Sequence, residues 1–197
     1  LKYMVYGNVL RNGTYPISVS SERIFQAMAI ARYANEIGAD AIAHGSTGAG
    51  NDQIRFFFFF QILAPEIEII TPTRDKNLTR EYEINYLKEH GYEADFTKLE
   101  YSINKGLWGT SIGGKETLKS NETLPEEAYP TQMTATEESR ITLDFEQSEI
   151  AAINGLKFDD KVAAIQYLEE VVEPYALGRD MHIGDTIIGI KGRVGFE

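Results

Sequence analysis

Cysteine is absent from the 197-residue sequence, which excludes disulfide bonds, thiol catalysis and cysteine metal sites. The three histidines lack the spacing of a metal site, so no metal ligands are predicted. Lys and Arg number 19 against 30 Asp and Glu, and a net charge of -11 argues against a nucleic-acid partner. No apolar run reaches the roughly 18 residues of a membrane span, and no signal peptide is visible. We therefore expect a cytoplasmic protein without a membrane partner.

The composition is that of a folded domain, with 43% hydrophobic and 25% charged residues. This length allows one large domain or two small ones, each with its own core. The sequence shows no Ser-His-Asp arrangement and no paired carboxylates beyond ordinary surface acids, so no catalytic side chain is predicted.

The most informative stretch reads as a strand, a glycine-rich loop and a helix start. Ala41–Ala43 is short and apolar, and Gly45, Gly48 and Gly50 follow within six residues. Asn51 and Asp52 are good helix N-caps and precede an apolar segment. Glycines let backbone N–H groups approach a ligand, and a helix start adds partial positive charge. The stretch therefore predicts a cradle for phosphate or carboxylate groups.

The elements around this loop predict an open parallel α/β sheet. A helix is expected from Ser20 or Ser21 to about Ile37, a strand over 66–70, and a helix capped by Thr79. Ligands of such sheets lie at the carboxyl ends of the strands, where the glycine loop falls. The phenylalanine run 56–60 would cover a whole helix circumference, which predicts a deeply buried helix.

The C-terminal half has a different pattern, which predicts an α+β second domain. Strands are expected over 140–145, 149–154 and 186–191, with Asn154-Gly155 as a hairpin turn. Asp159 or Asp160 should cap a helix between them. We place the boundary near residue 97, which gives domains 1–96 and 97–197.

The loop also resembles a known signature. Eleven of the thirteen positions 44–56 match the loop His-Gly-x-Thr-Gly-x-Gly-Asn-Asp-Gln-[Val/Ile]-Arg-Phe of the argininosuccinate synthases. The matching residues are His44, Gly45, Thr47, Gly48, Gly50, Asn51, Asp52, Gln53, Ile54, Arg55 and Phe56. The resemblance implies the C-terminal part of a nucleotide-binding domain of the adenine nucleotide alpha hydrolase type. Part of an α+β synthetase domain would follow it.

The resemblance assigns three sets of binding residues. The implied ATP-binding residues are Ala43, His44, Gly45, Ser46, Thr47, Gly48, Ala49, Gly50 and Asn51. The implied aspartate-binding residues are Thr47, Asn51 and Asp52. The implied citrulline-binding residues are Tyr15, Ser20, Asn51, Arg55, Ser102, Ser111, Gly184 and Phe196.

Two further segments carry the resemblance, and some positions depart from it. The spacing of Tyr15 and Ser20 fits, and residues 101–111 resemble the family's Tyr-Ser-x-x-x-x-Leu-Trp-Gly-x-Ser loop. Gly184 and Phe196 stand where the family has a Glu and a Tyr. Phe57 replaces an acidic residue. The family's first phosphate loop, Ser-Gly-Gly-x-Asp-Thr-Ser, is expected to precede the first residue of this chain.

The implied activity is the ATP-dependent ligation of citrulline and aspartate, with Mg²⁺ on the ATP phosphates and a homotetrameric assembly. One alternative is a non-catalytic amino-acid or nucleotide-binding module, which calorimetry would reveal by tight binding of a single ligand. A nicotinamide-binding domain is disfavoured, because Thr71-Pro72 stands where the acidic residue after the next strand is expected.

Overall fold

The computed structural model describes residues 1–48, 50–93, 101–114, 116–119, 121–187, 189 and 191–197. The helices are α1 Lys2–Tyr6, α2 Ile17–Ile37, α3 Asn51–Leu63, α4 Pro72–Asp75, α5 Arg80–Glu89 and α6 Lys161–Val172. The strands are β1 Leu10–Arg11, β2 Tyr15–Pro16, β3 Ala41–Ala43, β4 Glu68–Ile70, β5 Tyr101–Lys105, β6 Thr110–Gly114, β7 Leu143–Glu146, β8 Glu149–Ile153, β9 Leu156–Lys157, β10 Asp180–Asp185 and β11 Lys191–Phe196. They form two compact units, which are described separately.

The second unit, residues 20–100 and 184–192, contains the glycine loop. Strands β3 and β4 pair in parallel, with Ile42 opposite Ile69, as the sequence predicts. Helices α2 and α3 pack on this pair through a shared apolar cluster. The fully buried members of that cluster are Ala27, Ala31, Ala34, Ile42, Phe60 and Ala64. Small alanines on α2 allow close packing, and the bulky Phe60 fills the space between the elements.

Helix α3 is not the deeply buried helix that its phenylalanine run predicts. Phe60 is 1% exposed, whereas Phe58 is 57% exposed. The cap prediction is also wrong, because Gly50 is the N-cap and Asn51 is the first helical residue. The side chains of Asn51 and Asp52 have other partners instead, as described below.

The first unit comprises residues 1–19, 101–183 and 193–197. Its main sheet has the strand order β10-β11-β6-β5, and a second sheet has the order β7-β8-β9. Asp160 caps α6 by accepting a hydrogen bond from the Val162 N–H, and the positive φ angles of Asn154 and Gly155 form the predicted hairpin turn. Ile165, nearly fully buried, lies on the inner face of α6.

The first 19 residues form α1, the β1–β2 hairpin and the start of α2. One local prediction fails in the described residues. Of the strand expected over 186–191, the described residues Thr186, Ile187 and Gly189 lie between β10 and β11, and only Lys191 belongs to a strand, β11. The Gly189 N–H donates to the Thr186 carbonyl at 3.0 Å. Gly189 has φ +82, and this left-handed conformation ends the apolar run as a turn. The domain boundary near 97 lies outside the described residues and stays a prediction.

Candidate functional site

The glycine loop follows β3 at the carboxyl end of the parallel pair. The His44 N–H donates to the Ile70 carbonyl at 3.0 Å, which extends the β3–β4 ladder into the loop. Helix α3 begins at the end of the loop without any side-chain hydrogen bond at its cap. Its first N–H groups therefore face the loop, and the helix dipole adds partial positive charge there.

The three described loop glycines are not required by the protein's own geometry. None of Gly45, Gly48 and Gly50 has a positive φ. A Cβ added at Gly45 would lie 3.7 Å from Thr73 Oγ1, and one at Gly48 would lie 3.5 Å from Arg74 Cγ. These are ordinary van der Waals distances, so the fold itself could accept alanine. Neither a left-handed backbone conformation nor crowding by neighbouring atoms therefore accounts for glycine at these three positions.

His44 connects the loop to the core of the second unit. Its ring packs on Phe56 and Phe60, with centroid distances of 5.7 and 6.2 Å. Nδ1 accepts from the Ser46 N–H at 3.4 Å, so Nε2 carries the proton in the neutral ring. Burial lowers the pKa of His44, and the nearby charge of Arg74 lowers it further against the opposing effect of Asp75. The imidazole is neutral at pH 7 and shapes the loop as an aromatic hydrogen-bonding group.

Asp52 lies in the first turn of α3 between two arginines. Arg55 Nη1 is 2.8 Å from Oδ1, and Arg23 Nε is 3.4 Å from Oδ2. All three side chains are partly buried, with exposed fractions of 17 to 32%. The cluster carries one net positive charge, which suits a ligand with carboxylates and an amine. The predicted aspartate ligand Asp52 and the predicted citrulline ligand Arg55 therefore contact each other directly.

Two α3 side chains anchor neighbouring loops. Asn51 Oδ1 accepts from the Ile187 N–H at 2.6 Å, which ties the β10–β11 connection to the helix start. Gln53 is buried, and its Nε2 donates to the Gly48 carbonyl at 3.4 Å. This hydrogen bond from a buried side chain attaches the glycine loop to α3, a role of Gln53 that its local sequence does not reveal.

Arg74 is a candidate site residue that no sequence motif indicates. It lies on α4, directly after β4, and its Cγ is beside Gly48. Its Nε donates to Asp75 at 3.0 Å, and its guanidinium carbon lies 5.1 Å from the Phe57 ring centroid. Gly48 and Phe57 are well separated from Arg74 along the chain, so no local pattern signals these two contacts.

The first unit brings together four of the predicted citrulline residues. Phe196 of β11 pairs with Ser111 of β6, and Ser102 of β5 pairs with Gly113. Because directly opposed and alternate residues share a sheet face, Ser102, Ser111 and Phe196 lie on one face. The ring of Tyr15 meets Phe196 edge-on at 6.3 Å.

His182 also joins this group, although its sequence position carries no signal. Its ring centroid is 5.4 Å from that of Tyr15, and Nδ1 is 2.9 Å from Thr14 Oγ1. Burial lowers the pKa of His182, and Arg11 lowers it further. The lowered pKa favours the neutral ring at pH 7, and this ring packs against Tyr15.

The remaining predicted residues belong to the second unit or lie outside the description. Ser20 lies on α2 and Gly184 on β10, both within the second unit. Ala49 is outside the described residues. The predicted binding assignments of all these residues stay predictions. In the part of the chain that the structure describes, no cluster of His, Asp and Glu could hold a metal ion, and no helix is long and apolar enough to span a membrane.

A glycine loop that joins a parallel strand to a helix N-terminus, beside a second parallel strand, defines an α/β ligand-binding domain of the nucleotide-binding type. Residues 2–93 match the family model described as "Arginosuccinate synthase N-terminal HUP domain". The match includes residues 2–19 of the first unit and residues 20–93 of the second unit, and so contains β3, the glycine loop and β4.

Relatives cover the rest of the chain as well. The argininosuccinate synthase of Methanocaldococcus jannaschii is 39% identical over 196 residues, which is 98% of this chain and 49% of the relative. That of Sulfolobus acidocaldarius is 36% identical over 198 residues, or 100% of this chain and 50% of the relative. The Dictyoglomus thermophilum protein of the same name is 35% identical over 195 residues, with 98% and 49% coverage. The chain belongs to the argininosuccinate synthase family and spans about half the length of these relatives.

Proposed function

We propose that the protein containing this chain is an argininosuccinate synthase of arginine biosynthesis. It ligates citrulline and aspartate to form argininosuccinate, and it converts MgATP to AMP and pyrophosphate. The observation that carries the proposal is the glycine loop. Its glycines are explained neither by a positive φ nor by crowding from neighbouring protein atoms. Such glycines are explained by close approach of a ligand to the backbone. The family membership supports citrulline, aspartate and MgATP as the ligands of this proposal.

The proposed reaction has two steps. The ureido oxygen of citrulline attacks the α-phosphorus of ATP, and pyrophosphate leaves with the electron pair of the broken P–O bond. The amine of aspartate then attacks the ureido carbon of this citrullyl-adenylate, AMP leaves, and the amine loses a proton. Neither step needs a covalent bond to the protein. Catalysis would come from orienting three substrates and neutralising phosphate charge.

The described groups at the loop suit the roles assigned to them. Asp52 can accept from the amine of aspartate while its two arginines keep the carboxylate in position. The Thr47 hydroxyl, the Asn51 amide nitrogen and the first α3 N–H groups can donate to its carboxylates. Backbone N–H groups of residues 45–48 and 50 would contact the nucleotide. Within the second unit, Arg55 would contribute a guanidinium to citrulline binding.

Two assigned positions of the citrulline site cannot hydrogen-bond through a side chain. Gly184 has none, and Phe196 is buried and lacks a hydroxyl. Within this proposal Tyr15, held by His182, is the aromatic hydroxyl that meets citrulline. The protein would act as a homotetramer in the cytoplasm.

The test is an omission assay on the full-length protein. AMP should form only when ATP, Mg²⁺, citrulline and aspartate are all present, and argininosuccinate should form in equal amount. If wild-type protein releases no AMP with all substrates present, the proposal is wrong. Tight binding of a single amino acid without turnover would instead indicate a binding module.

A further inference from the structure

Arg74 is a charged side chain at the loop to which the proposed reaction gives no role. The parallel ladder brings the end of β4 beside the end of β3, and α4 begins two residues after Ile70. This places Arg74 Cγ 3.5 Å from where a Gly48 Cβ would lie. A bulkier residue at position 48 would therefore compete with Arg74 and a ligand for the same space.

The guanidinium of Arg74 is held in one orientation by two contacts. Its carbon lies over the Phe57 ring at 5.1 Å from the centroid, and its Nε donates to Asp75 Oδ1 at 3.0 Å. Asp75 is fixed in turn by the Thr71 hydroxyl, which donates to Oδ2 at 2.7 Å. The Asp75 pair uses Nε, so Nη1 and Nη2 are not used in it. These two nitrogens form the fork that pairs with carboxylate and phosphate oxygens.

The aromatic partner of Arg74, Phe57, is uncharged and therefore leaves the positive charge of the guanidinium available to a ligand. Phe57 supports the guanidinium without neutralising it. The side chain is 30% exposed, so it is shielded enough to be oriented and open enough to reach a ligand. Its charge already acts at the loop, because it contributes to lowering the pKa of His44.

We propose that Arg74 is an anion-binding residue of the loop site, which binds a phosphate or carboxylate group of the ligand held by residues 44–48 and 50. This inference rests on the proposed function for the identity of the ligands, MgATP and aspartate. Both ligands present anionic oxygen atoms that can accept hydrogen bonds from the two terminal nitrogens of a guanidinium. The binding experiment decides which of them Arg74 contacts.

The experiment measures the dissociation constants of MgATP and of L-aspartate by calorimetry on full-length Arg74→Gln. We expect a loss of about 10-fold to 100-fold for one ligand or both, since a charge-assisted hydrogen bond is removed. A loss for MgATP identifies a phosphate contact, and a loss for aspartate identifies a carboxylate contact. Arg32→Gln is the matched control, because Arg32 is an exposed arginine on α2 of the same unit. Unchanged affinity for both ligands would overturn the proposal.

A second pair of variants does not alter Arg74 itself. Phe57→Glu would place a carboxylate against the guanidinium and should weaken the same ligand as Arg74→Gln. Phe57→Leu removes the ring without adding charge and should weaken it less. If the Glu and Leu variants bind alike, the proposal is wrong, even where Arg74→Gln proves poorly folded.

The binding readout separates this proposal from the proposed function. Failure of the wild-type protein to form AMP would refute the ligase activity, and yet Arg74 would still be tested by ligand affinity. Conversely, an active wild-type enzyme with unchanged affinities in the Arg74 and Phe57 variants would refute only the role of Arg74.

Discussion

Replacing Gly48 by alanine should weaken ligand binding without weakening the fold. The matched control is Gly38→Ala, at the end of α2. Gly38 has φ +63, whereas Gly48 has no positive φ and an added Cβ there meets only Arg74 Cγ at 3.5 Å. No heavy atom lies within 4 Å of an added Cβ at Gly38, so the cost there is purely one of backbone conformation.

The two substitutions should have opposite effects on stability. An alanine forced into the left-handed region costs about 1–2 kcal/mol, so Gly38→Ala should lower the free energy of unfolding by that amount. An alanine at a compatible position reduces the entropy of the unfolded chain, so Gly48→Ala should leave stability unchanged or raise it by about 0.4–1 kcal/mol. Ligand affinity should show the reverse order, because the added methyl at position 48 occupies the surface that the ligand approaches.

The assay combines urea unfolding with calorimetric titration of MgATP and aspartate on the full-length variants. Gly48→Ala should be at least as stable as wild type and should bind one of the ligands more weakly. Gly38→Ala should be less stable and should bind both ligands normally. A Gly48→Ala variant that loses stability but keeps its affinities would show that this glycine serves the fold.

Three further predictions concern other side chains. Asp52→Asn should raise the Michaelis constant for aspartate by about 10-fold to 100-fold, through loss of a charged acceptor, and an unchanged constant would refute that role. The pKa values of His44 and His182 lie below the ordinary value of about 6.5, so the unfolded chain binds more protons below that pH. Stability should therefore fall as the pH drops from about 7.5 to about 5.5, and the fall should be smaller in His182→Gln; equal falls in both proteins would count against the assignment. Asp160→Ala should cost about 0.5–2 kcal/mol of stability by removing the α6 cap, and urea unfolding will show whether it does.

Local signals in the sequence predict part of the fold accurately. The Thr79 cap accepts from the Tyr82 N–H, and Asn154-Gly155 turns the β8–β9 hairpin, because each depends on a few neighbouring residues. The strand Ala41–Ala43 is also predicted with its observed bounds. The predictions of secondary structure are wrong where the observed structure depends on packing against other parts of the chain. The apolar run near Ile187 reads as a strand, but the left-handed Gly189 makes it a turn.

In the candidate site, too, the features that depend on contiguous residues could be predicted, whereas the tertiary contacts could not. The glycine loop could be found in the sequence because its elements are contiguous, and the family signature lies within it. The contact of Arg74 with Phe57, and that of Gln53 with the Gly48 carbonyl, arise from tertiary packing. The grouping of His182 with Tyr15 joins residues that are far apart in sequence. No periodicity or spacing predicts such contacts.

The central claim is that this chain forms part of an enzyme that activates citrulline with ATP before aspartate attacks. Citrulline labelled with ¹⁸O in the ureido group tests it directly in the full-length protein. The account predicts that the label appears in the phosphate of AMP and is absent from pyrophosphate. AMP without the label, or products formed without transfer of the ureido oxygen, would contradict it.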